Sequence, residues 1–165
     1  DERVTSAIGD RLPGVSRKVA AQGAEDIDTR EFFAGRKIVL VGVPGAFTPT
    51  CSNNHVPGFL ENHEAIKGRG VDAVAIVAVN DHHVMNAWAK FLGAEDKLVF
   101  LADGNGEFTR ALGLDQDMSA GGLGTRSQRY SMIVEDGVMK ALNLEEVRGQ
   151  VATSGAARIL EQIEA

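Results

Sequence analysis

Residues 37–59 read KIVLVGVPGAFTPTCSNNHVPGF, and this stretch decides the fold of the chain. Residues 38–43 within it are apolar and rich in β-branched side chains, which predicts a buried strand over residues 37–43. Pro44-Gly45 ends that strand sharply, and a loop of prolines and threonines follows. The residues after Cys51 have helical spacing, with a bend or a separate first turn expected at Pro57. The stretch therefore predicts a strand, a loop and a helix, with the cysteine near the start of the helix.

The rest of the chain continues this alternation of strands and helices. Apolar runs predict further strands at residues 71–79 and 97–102, and Asp136-Gly137 between two apolar runs predicts a hairpin. Asp28 and Asp81 stand where N-caps of helices are expected. Helices are predicted in the segments DTREFF, HHVMNAWAKFLG, GEFTRALGL and TSGAARILEQIEA. This order predicts an α/β protein with a thioredoxin-like fold: a central mixed sheet flanked by helices, after an irregular or short β extension over the first 25 residues.

Length and composition indicate a single globular domain over residues 1–165. Seventeen basic and 23 acidic side chains give a net charge of −6, and because they are interspersed, no nucleic-acid or anionic-membrane surface is predicted. The longest apolar run, residues 73–79, is too short to span a bilayer. Since no secretory signal is visible, we expect a cytoplasmic location, although a removed targeting segment would leave no trace in a chain that starts at Asp1.

Cys51 is the only cysteine in the sequence, so no intramolecular disulfide can form. A CxxC motif is also absent, since Thr48 lies three positions before Cys51 and Asn54 three positions after it. A reactive cysteine must be a thiolate, and a position in the first turn of a helix favours the negative charge through unpaired N–H groups and the helix dipole. The alternative interpretation of Cys51 is a buried and inert cysteine that packs as a small apolar side chain.

The pattern formed by Pro44, Thr48 and Cys51, P-x-x-x-T-x-x-C, resembles the active-site loop of peroxiredoxins. The wider segment VGVPGAFTPTCSNNHVPGF is similar to that of the type II, or peroxiredoxin-5, subfamily. The resemblance extends from about Gly9 to the C-terminal helix. It includes the segments VNDHHVMNAWAK, FLADGNGEFTRALGL and GLGTRSQRYSMIVEDGVMKALNLE.

The resemblance implies a thiol-dependent peroxidase that reduces hydrogen peroxide and alkyl hydroperoxides without a metal or a cofactor. Cys51 would be the peroxidatic nucleophile, Thr48 would orient the peroxide, and Pro44 would shield the sulfur from water. Arg126, in GTRSQRYSM, would donate hydrogen bonds to the thiolate and to the peroxide, while Arg129 in the same segment receives no role. The resemblance also implies a homodimer that forms through loops near the active site.

A second, resolving cysteine is absent from both places where relatives carry one. One is the segment VATSGAA, where Thr153 takes its position, and the other is the strand VAIVAV. A sulfenic acid on Cys51 would then need a thiol from outside the chain. We therefore expect a one-cysteine cycle, with glutathione or glutaredoxin as the reductant and thioredoxin as another possibility.

Two other functions remain open at this stage. His55, one helical turn after Cys51, could act as the base of a Cys-His hydrolase, but no orienting acid is visible and Pro57 intervenes. The chain could also be a redox-sensing interaction protein or a chaperone on the same fold. His82 and His83 are interpreted as solvated residues at a helix start rather than metal ligands.

Overall fold

The computed structural model describes residues 7–14, 19–21, 25–147 and 149–163. The strands within these ranges are β1 (Val19–Ala21), β2 (Glu25–Ile27), β3 (Lys37–Gly42), β4 (Ala73–Ala78), β5 (Val99–Ala102), β6 (Asp115–Asp117), β7 (Thr125–Ser127), β8 (Tyr130–Glu135) and β9 (Val138–Leu144). The α-helices are α1 (Thr29–Phe33), α2 (Val56–Lys67), α3 (His82–Leu92), α4 (Glu107–Leu112) and α5 (Ala156–Gln162).

A seven-stranded mixed sheet forms the centre, in the order β2-β1-β5-β4-β3-β8-β9. Strands β3, β4 and β5 are parallel, as expected when helices connect successive strands, and β8 and β9 are antiparallel to their neighbours. The predicted mixed sheet flanked by helices is thereby confirmed. A second sheet pairs β6 with β7, and sequence analysis did not predict these two strands.

Strand β3 is buried on both faces because helices cover the sheet on each side. Side chains alternate along a strand, so Val39 and Val41 pack in one apolar cluster while Ile38 and Leu40 pack in the other. The first cluster also contains residues of α2, α3 and α5, and the second contains residues of α1 and α4. This burial explains why the strand is a continuous apolar run in the sequence.

The register between β3 and β8 determines which residue approaches the cysteine loop. Gly42, the last residue of β3, pairs with Tyr130, the first residue of β8. The ring of Tyr130 lies where a Cβ on Gly42 would be, so the pair requires glycine. Because the strands are antiparallel, the start of β8 lies beside the end of β3. Arg129, which precedes Tyr130, therefore lies next to the point where the chain leaves β3 toward Pro44.

The predicted caps and turns are present. Asp28 accepts a hydrogen bond from the N–H of Arg30, and Asp81 accepts one from the N–H of Val84. Asp136 and Gly137 have φ values of 49° and 78°, as the tight hairpin between β8 and β9 requires. No helix in the described part of the chain is both long and apolar enough to cross a membrane.

The predicted N-terminal extension is only partly described, since residues 1–6, 15–18 and 22–24 lie outside the described residues. The described part includes β1, which pairs with β5 at the sheet, and a bridge between Arg11 and Val138. A short β extension, one of the two predicted forms, is therefore present in the described residues Val19–Ala21 and Glu25–Ile27.

Candidate active site

Cys51 lies in the first turn of the helical segment that follows β3, as the sequence predicts, and residues 49 and 50 before it are already helical. Residues Cys51–His55 form a π-helical turn, in which the N–H of Val56 donates to the carbonyl of Cys51. This wide turn ends where α2 begins, because Pro57 has no N–H to donate to the carbonyl one α-turn before it. Cys51 is fully buried, and the indole N–H of Trp88 donates to Ser52 Oγ at 2.9 Å, which anchors the turn.

Arg129 supplies the guanidinium that contacts the sulfur. Its Nη2 donates to Cys51 Sγ at 3.1 Å, and its Nη1 lies 3.0 Å from Nδ1 of His55. The side chain is only 7% exposed, and among the described residues Nε has no hydrogen-bond partner. A planar guanidinium can hold several acceptors at once, so this arginine is suited to bind a thiolate and an incoming oxygen together.

The assignment of this contact to Arg126 was wrong. Arg126 lies in β7, where its Nε donates to the carbonyl of Leu123 at 2.9 Å and its Nη1 to that of Pro44 at 3.4 Å. Its guanidinium also lies against Gly45, where an added Cβ would be 2.7 Å from Nη1. Arg126 therefore braces the backbone of the cysteine loop, whereas Arg129 reaches the sulfur.

The sequence contained a signal that could have identified Arg129. The hairpin at Asp136-Gly137 predicts where β8 begins, and a residue next to the first position of β8 lies beside the end of β3. An arginine at that position is only one residue from the end of the sheet at which β3 leads into the cysteine loop. Sequence analysis gave Arg129 no role because it did not use this register.

His55 is buried, with 1% of its surface exposed, and both of its ring nitrogens have partners. Nε2 lies 2.9 Å from the carbonyl oxygen of Ser154, and Nδ1 faces Arg129. Burial lowers the pKa of His55 to about 4, and the charge of Arg129 lowers it as well, although the hydrogen bond to Ser154 acts in the opposite direction. Because neither nitrogen is left to take a proton from Cys51, the geometry does not fit a Cys-His hydrolase.

Thr48 and Pro44 lie on the loop before Cys51. Thr48 Oγ1 donates to the carbonyl of Gly45 at 2.7 Å, and the N–H of Ser52 donates to the carbonyl of Thr48 at 2.9 Å. Since the hydroxyl proton is committed to Gly45, Thr48 Oγ1 is left with lone pairs that can accept a hydrogen bond from a ligand. Pro44 is buried beside this loop.

Two cavities open beside Arg129, and both are also lined by Pro44 and Gly149. The first has a volume of about 210 Å³, and the other residues that line it are Thr48, Pro49, Thr50, Met118 and Leu123. The second has a volume of about 240 Å³, and its other lining residues are Gln116, Gln128, Glu145, Glu146 and Val147. One approach to Arg129 is therefore mainly apolar, and the other is polar.

The histidine pair at the start of α3 shows no arrangement for a metal. The rings of His82 and His83 lie 4.0 Å apart, and Asp81 caps the helix instead of facing them as a ligand. Within the described ranges, no group of three or more His, Cys, Asp or Glu side chains is placed to hold a metal ion.

Comparison with known proteins identifies the family. The Redoxin family model matches residues 7–160. The chain is 47% identical to Peroxiredoxin-2E-2, chloroplastic, of Oryza sativa subsp. japonica over 165 residues, which cover 96% of this chain and 73% of that protein. It is 42% identical to Peroxiredoxin-2F, mitochondrial, of Arabidopsis thaliana over 167 residues, which cover 97% of this chain and 81% of that protein.

The names of these two relatives contradict the predicted cytoplasmic location. One is a protein of the chloroplast and the other a protein of the mitochondrion, so the relatives of this chain include organellar proteins. The prediction rested on the absence of a visible signal, and it is wrong against this comparison.

A solved structure with the same fold supports the family assignment. The crystal structure of reduced Prx3 in complex with H₂O₂ from Vibrio vulnificus matches with a TM-score of 0.91 at 42% identity, covering 97% of this chain and 100% of that one. The predicted thioredoxin-like fold is thereby confirmed. The chain belongs to the Redoxin family, and it is a peroxiredoxin of the type II, or peroxiredoxin-5, subfamily, a thiol-dependent peroxidase.

Proposed function

We propose that Cys51 is the nucleophile of this peroxidase and that the domain spanning residues 1–165 reduces hydrogen peroxide and organic hydroperoxides by a one-cysteine cycle. The observation that carries the proposal is the contact of 3.1 Å between Arg129 Nη2 and the buried sulfur of Cys51. A permanently charged donor in a buried site favours the thiolate, which is the form that attacks peroxides.

The proposed reaction is a displacement at one peroxide oxygen. The Cys51 thiolate forms an S–O bond as the O–O bond breaks, so that sulfur loses two electrons to the peroxide. Hydroxide or alkoxide leaves and takes a proton from solvent, while Cys51 becomes a sulfenic acid. Arg129 donates to the oxygens on which charge develops, and such preorganised donors make a large contribution to catalysis.

Thr48 and Pro44 would hold the peroxide beside the sulfur. Since the hydroxyl proton of Thr48 is directed to Gly45, Oγ1 would accept a hydrogen bond from the peroxide O–H. Pro44 is buried and offers no backbone N–H, so it would exclude water next to the thiolate. The H₂O₂ complex of Vibrio vulnificus Prx3, a protein of the same fold, supports hydrogen peroxide as a substrate.

Organic hydroperoxides would place their alkyl group in the apolar cavity of about 210 Å³. Met118, Leu123 and Pro49 line this cavity, and Thr48 lies in its wall. An alkyl group gains free energy when it leaves water for such an apolar surface. This cavity supports the wider substrate range, which includes hydrogen peroxide and alkyl hydroperoxides.

We propose an external thiol as the reductant, because Cys51 is the only cysteine of the sequence. Glutathione would attack the sulfenic acid, release water and leave a mixed disulfide on Cys51, and a second thiol would then release the Cys51 thiolate. The polar cavity of about 240 Å³ supports the approach of a peptide thiol, since Gln116 and Gln128 lie in its wall. Glutaredoxin is the expected partner for the second step, with thioredoxin as the alternative.

This cycle is tested by intact-mass analysis of the protein after one equivalent of peroxide and then an excess of glutathione. We expect first the mass of the reduced chain plus one oxygen atom, and then the mass of the reduced chain plus one glutathionyl group, because the oxygen leaves as water. Peptide mapping should place the adduct on Cys51. Glutaredoxin should remove the adduct faster than thioredoxin does. A chain that shows only further oxidised sulfur, or a disulfide between two Cys51 residues, would contradict the proposed cycle.

We also propose a homodimer that forms through the cysteine loop. Phe47 on this loop is 47% exposed and lies 5.4 Å, centroid to centroid, from the ring of Phe91, which is 70% exposed. An exposed aromatic pair is typical of protein interfaces. Sedimentation velocity should give the mass of a dimer for the reduced protein and a shift toward monomer for Phe91→Asp, whereas monomeric wild-type protein would rule the proposal out.

A further inference from the structure

The guanidinium of Arg129 is held by two different side chains. Nη2 contacts Cys51 and Nη1 contacts His55, while Nε has no partner among the described residues. A guanidinium at the end of a long side chain can rotate about several bonds, so its direction depends on the hydrogen bonds at its end. His55 therefore restricts the rotation that would carry Nη2 away from the sulfur.

The tautomer of His55 follows from its two partners. The carbonyl oxygen of Ser154 can only accept, so Nε2 must carry the proton at this 2.9 Å contact. Nδ1 then has a free lone pair, which is the acceptor that Arg129 Nη1 requires. A protonated ring would have donors at both nitrogens and would repel the guanidinium, and the low pKa of His55, about 4, keeps the ring neutral near neutral pH.

Glu145 holds the carbonyl of Ser154 in place. One carboxylate oxygen, Oε2, accepts hydrogen bonds of 2.7 Å from the N–H groups of Thr153 and Ser154 and from Ser154 Oγ. The backbone N–H of Glu145 also donates to the carbonyl of Arg129 at 3.0 Å. The same residue thus fixes the backbone of the arginine and the segment that orients the histidine.

We propose that His55 is a positioning residue that directs Arg129 onto the sulfur of Cys51, through an Nδ1 lone pair set by the Ser154 carbonyl. The inference rests on the proposed roles of Cys51 and Arg129. His55 does not touch the reacting atoms, and it acts only through the guanidinium. Cys51 and His55 are the two buried residues of the π-helical turn, so His55 has the same rigid support as Cys51.

The test compares two substitutions that differ in whether they retain a hydrogen-bond acceptor. His55→Asn places Oδ1 near the position of Nδ1 and retains an acceptor for Arg129, whereas His55→Leu has no acceptor. We expect His55→Leu to lower the second-order rate constant for peroxide reduction about ten- to a hundredfold, the usual effect of losing a hydrogen bond to a charged group. We expect His55→Asn to recover most of that loss.

A second readout follows the sulfur without peroxide. The pH profile of Cys51 alkylation by iodoacetamide should move to higher pH in His55→Leu and return toward the wild-type profile in His55→Asn. His55→Gln, which retains a group near Nε2 but no acceptor near Nδ1, should behave like His55→Leu, and it replaces that variant if His55→Leu does not fold. Urea unfolding of each reduced variant identifies the folded ones.

A double-mutant cycle separates positioning from a general structural role. If His55 acts through Arg129, His55→Leu should add little to the loss that Arg129→Met already causes, whereas independent effects would add. Equal losses in His55→Asn and His55→Leu, additive losses in the cycle, or an unchanged alkylation profile would each overturn the inference. Alkylation needs no turnover, so the alkylation profiles of the variants can be compared even if the proposed peroxidase cycle is wrong. A failure of this inference is therefore distinguishable from a failure of the proposed cycle.

Discussion

Cys51→Ser is expected to lower the rate of peroxide-dependent thiol oxidation by at least about a thousandfold, as removal of a catalytic nucleophile usually does. A serine hydroxyl stays protonated and cannot form the S–O bond of the proposed first step. The measurement is steady-state peroxidase kinetics with glutathione, glutaredoxin and thioredoxin supplied in parallel. Serine is close in size to cysteine, so the buried site should retain its packing.

Thr153→Ala is the matched control for this variant. The resemblance to peroxiredoxins places Thr153 at the position of the second cysteine in some relatives. Its contact with Glu145 uses the backbone N–H, which alanine retains, and the hydrogen bond that alanine loses is the long, exposed one of 3.4 Å from Oγ1 to the carbonyl of Leu144. We expect its turnover to equal that of the wild type with every reductant. Undiminished turnover in Cys51→Ser would remove the nucleophile assignment and would favour the alternative of a redox-sensing protein on the same fold.

Arg129→Met is expected to lower the second-order rate constant with hydrogen peroxide about a hundred- to a thousandfold, the range found when one preorganised donor to a developing negative charge is removed. Methionine occupies a similar volume without the charge or the donors. It also leaves Nδ1 of His55 without its partner. The rate constant should be measured by stopped-flow oxidation of the reduced protein, followed through the fluorescence of Trp88, which contacts the residue after Cys51.

Arg126→Met is the comparison that distinguishes the two arginines. Its contacts are to the carbonyls of Leu123 and Pro44 and not to the sulfur, so their loss should lower the rate less than about tenfold. Arg129→Lys retains the charge but not the planar pair of donors that contact Cys51 and His55 at the same time. We therefore expect a rate between those of Arg129→Met and the wild type. Equal losses in Arg126→Met and Arg129→Met would contradict the assignment.

The fold was largely predictable because its signals are local. The apolar run of β3, the caps at Asp28 and Asp81 and the turn at Asp136-Gly137 each depend on neighbours within a few residues. The short sheet of β6 and β7 was missed because its strands have three residues each and little apolar periodicity. Their pairing depends on the turn between them, residues 118–124, which contains no apolar alternation that would predict a strand on either side.

The candidate site was predictable where its residues are close in the sequence. Pro44, Thr48 and Cys51 fall within eight positions of one strand–loop–helix unit, and the placement of the sulfur at the start of the helical segment is as predicted. Arg126 and Arg129 lie in one short segment, and the residue type alone cannot tell which of the two contacts the sulfur. The register of Tyr130 against Gly42 decides between them.

The sequence by itself determined that this protein has one thiol, that the thiol follows a buried strand, and that its loop is that of a peroxiredoxin. The tertiary structure alone decided that Arg129 reaches the sulfur and that His55 holds the arginine. The physical reason is distance along the chain: Arg129 is 78 residues from Cys51, and Ser154 is 99 residues from His55. Contacts of that separation are set by sheet register and by burial, and neither leaves a periodic pattern in the sequence.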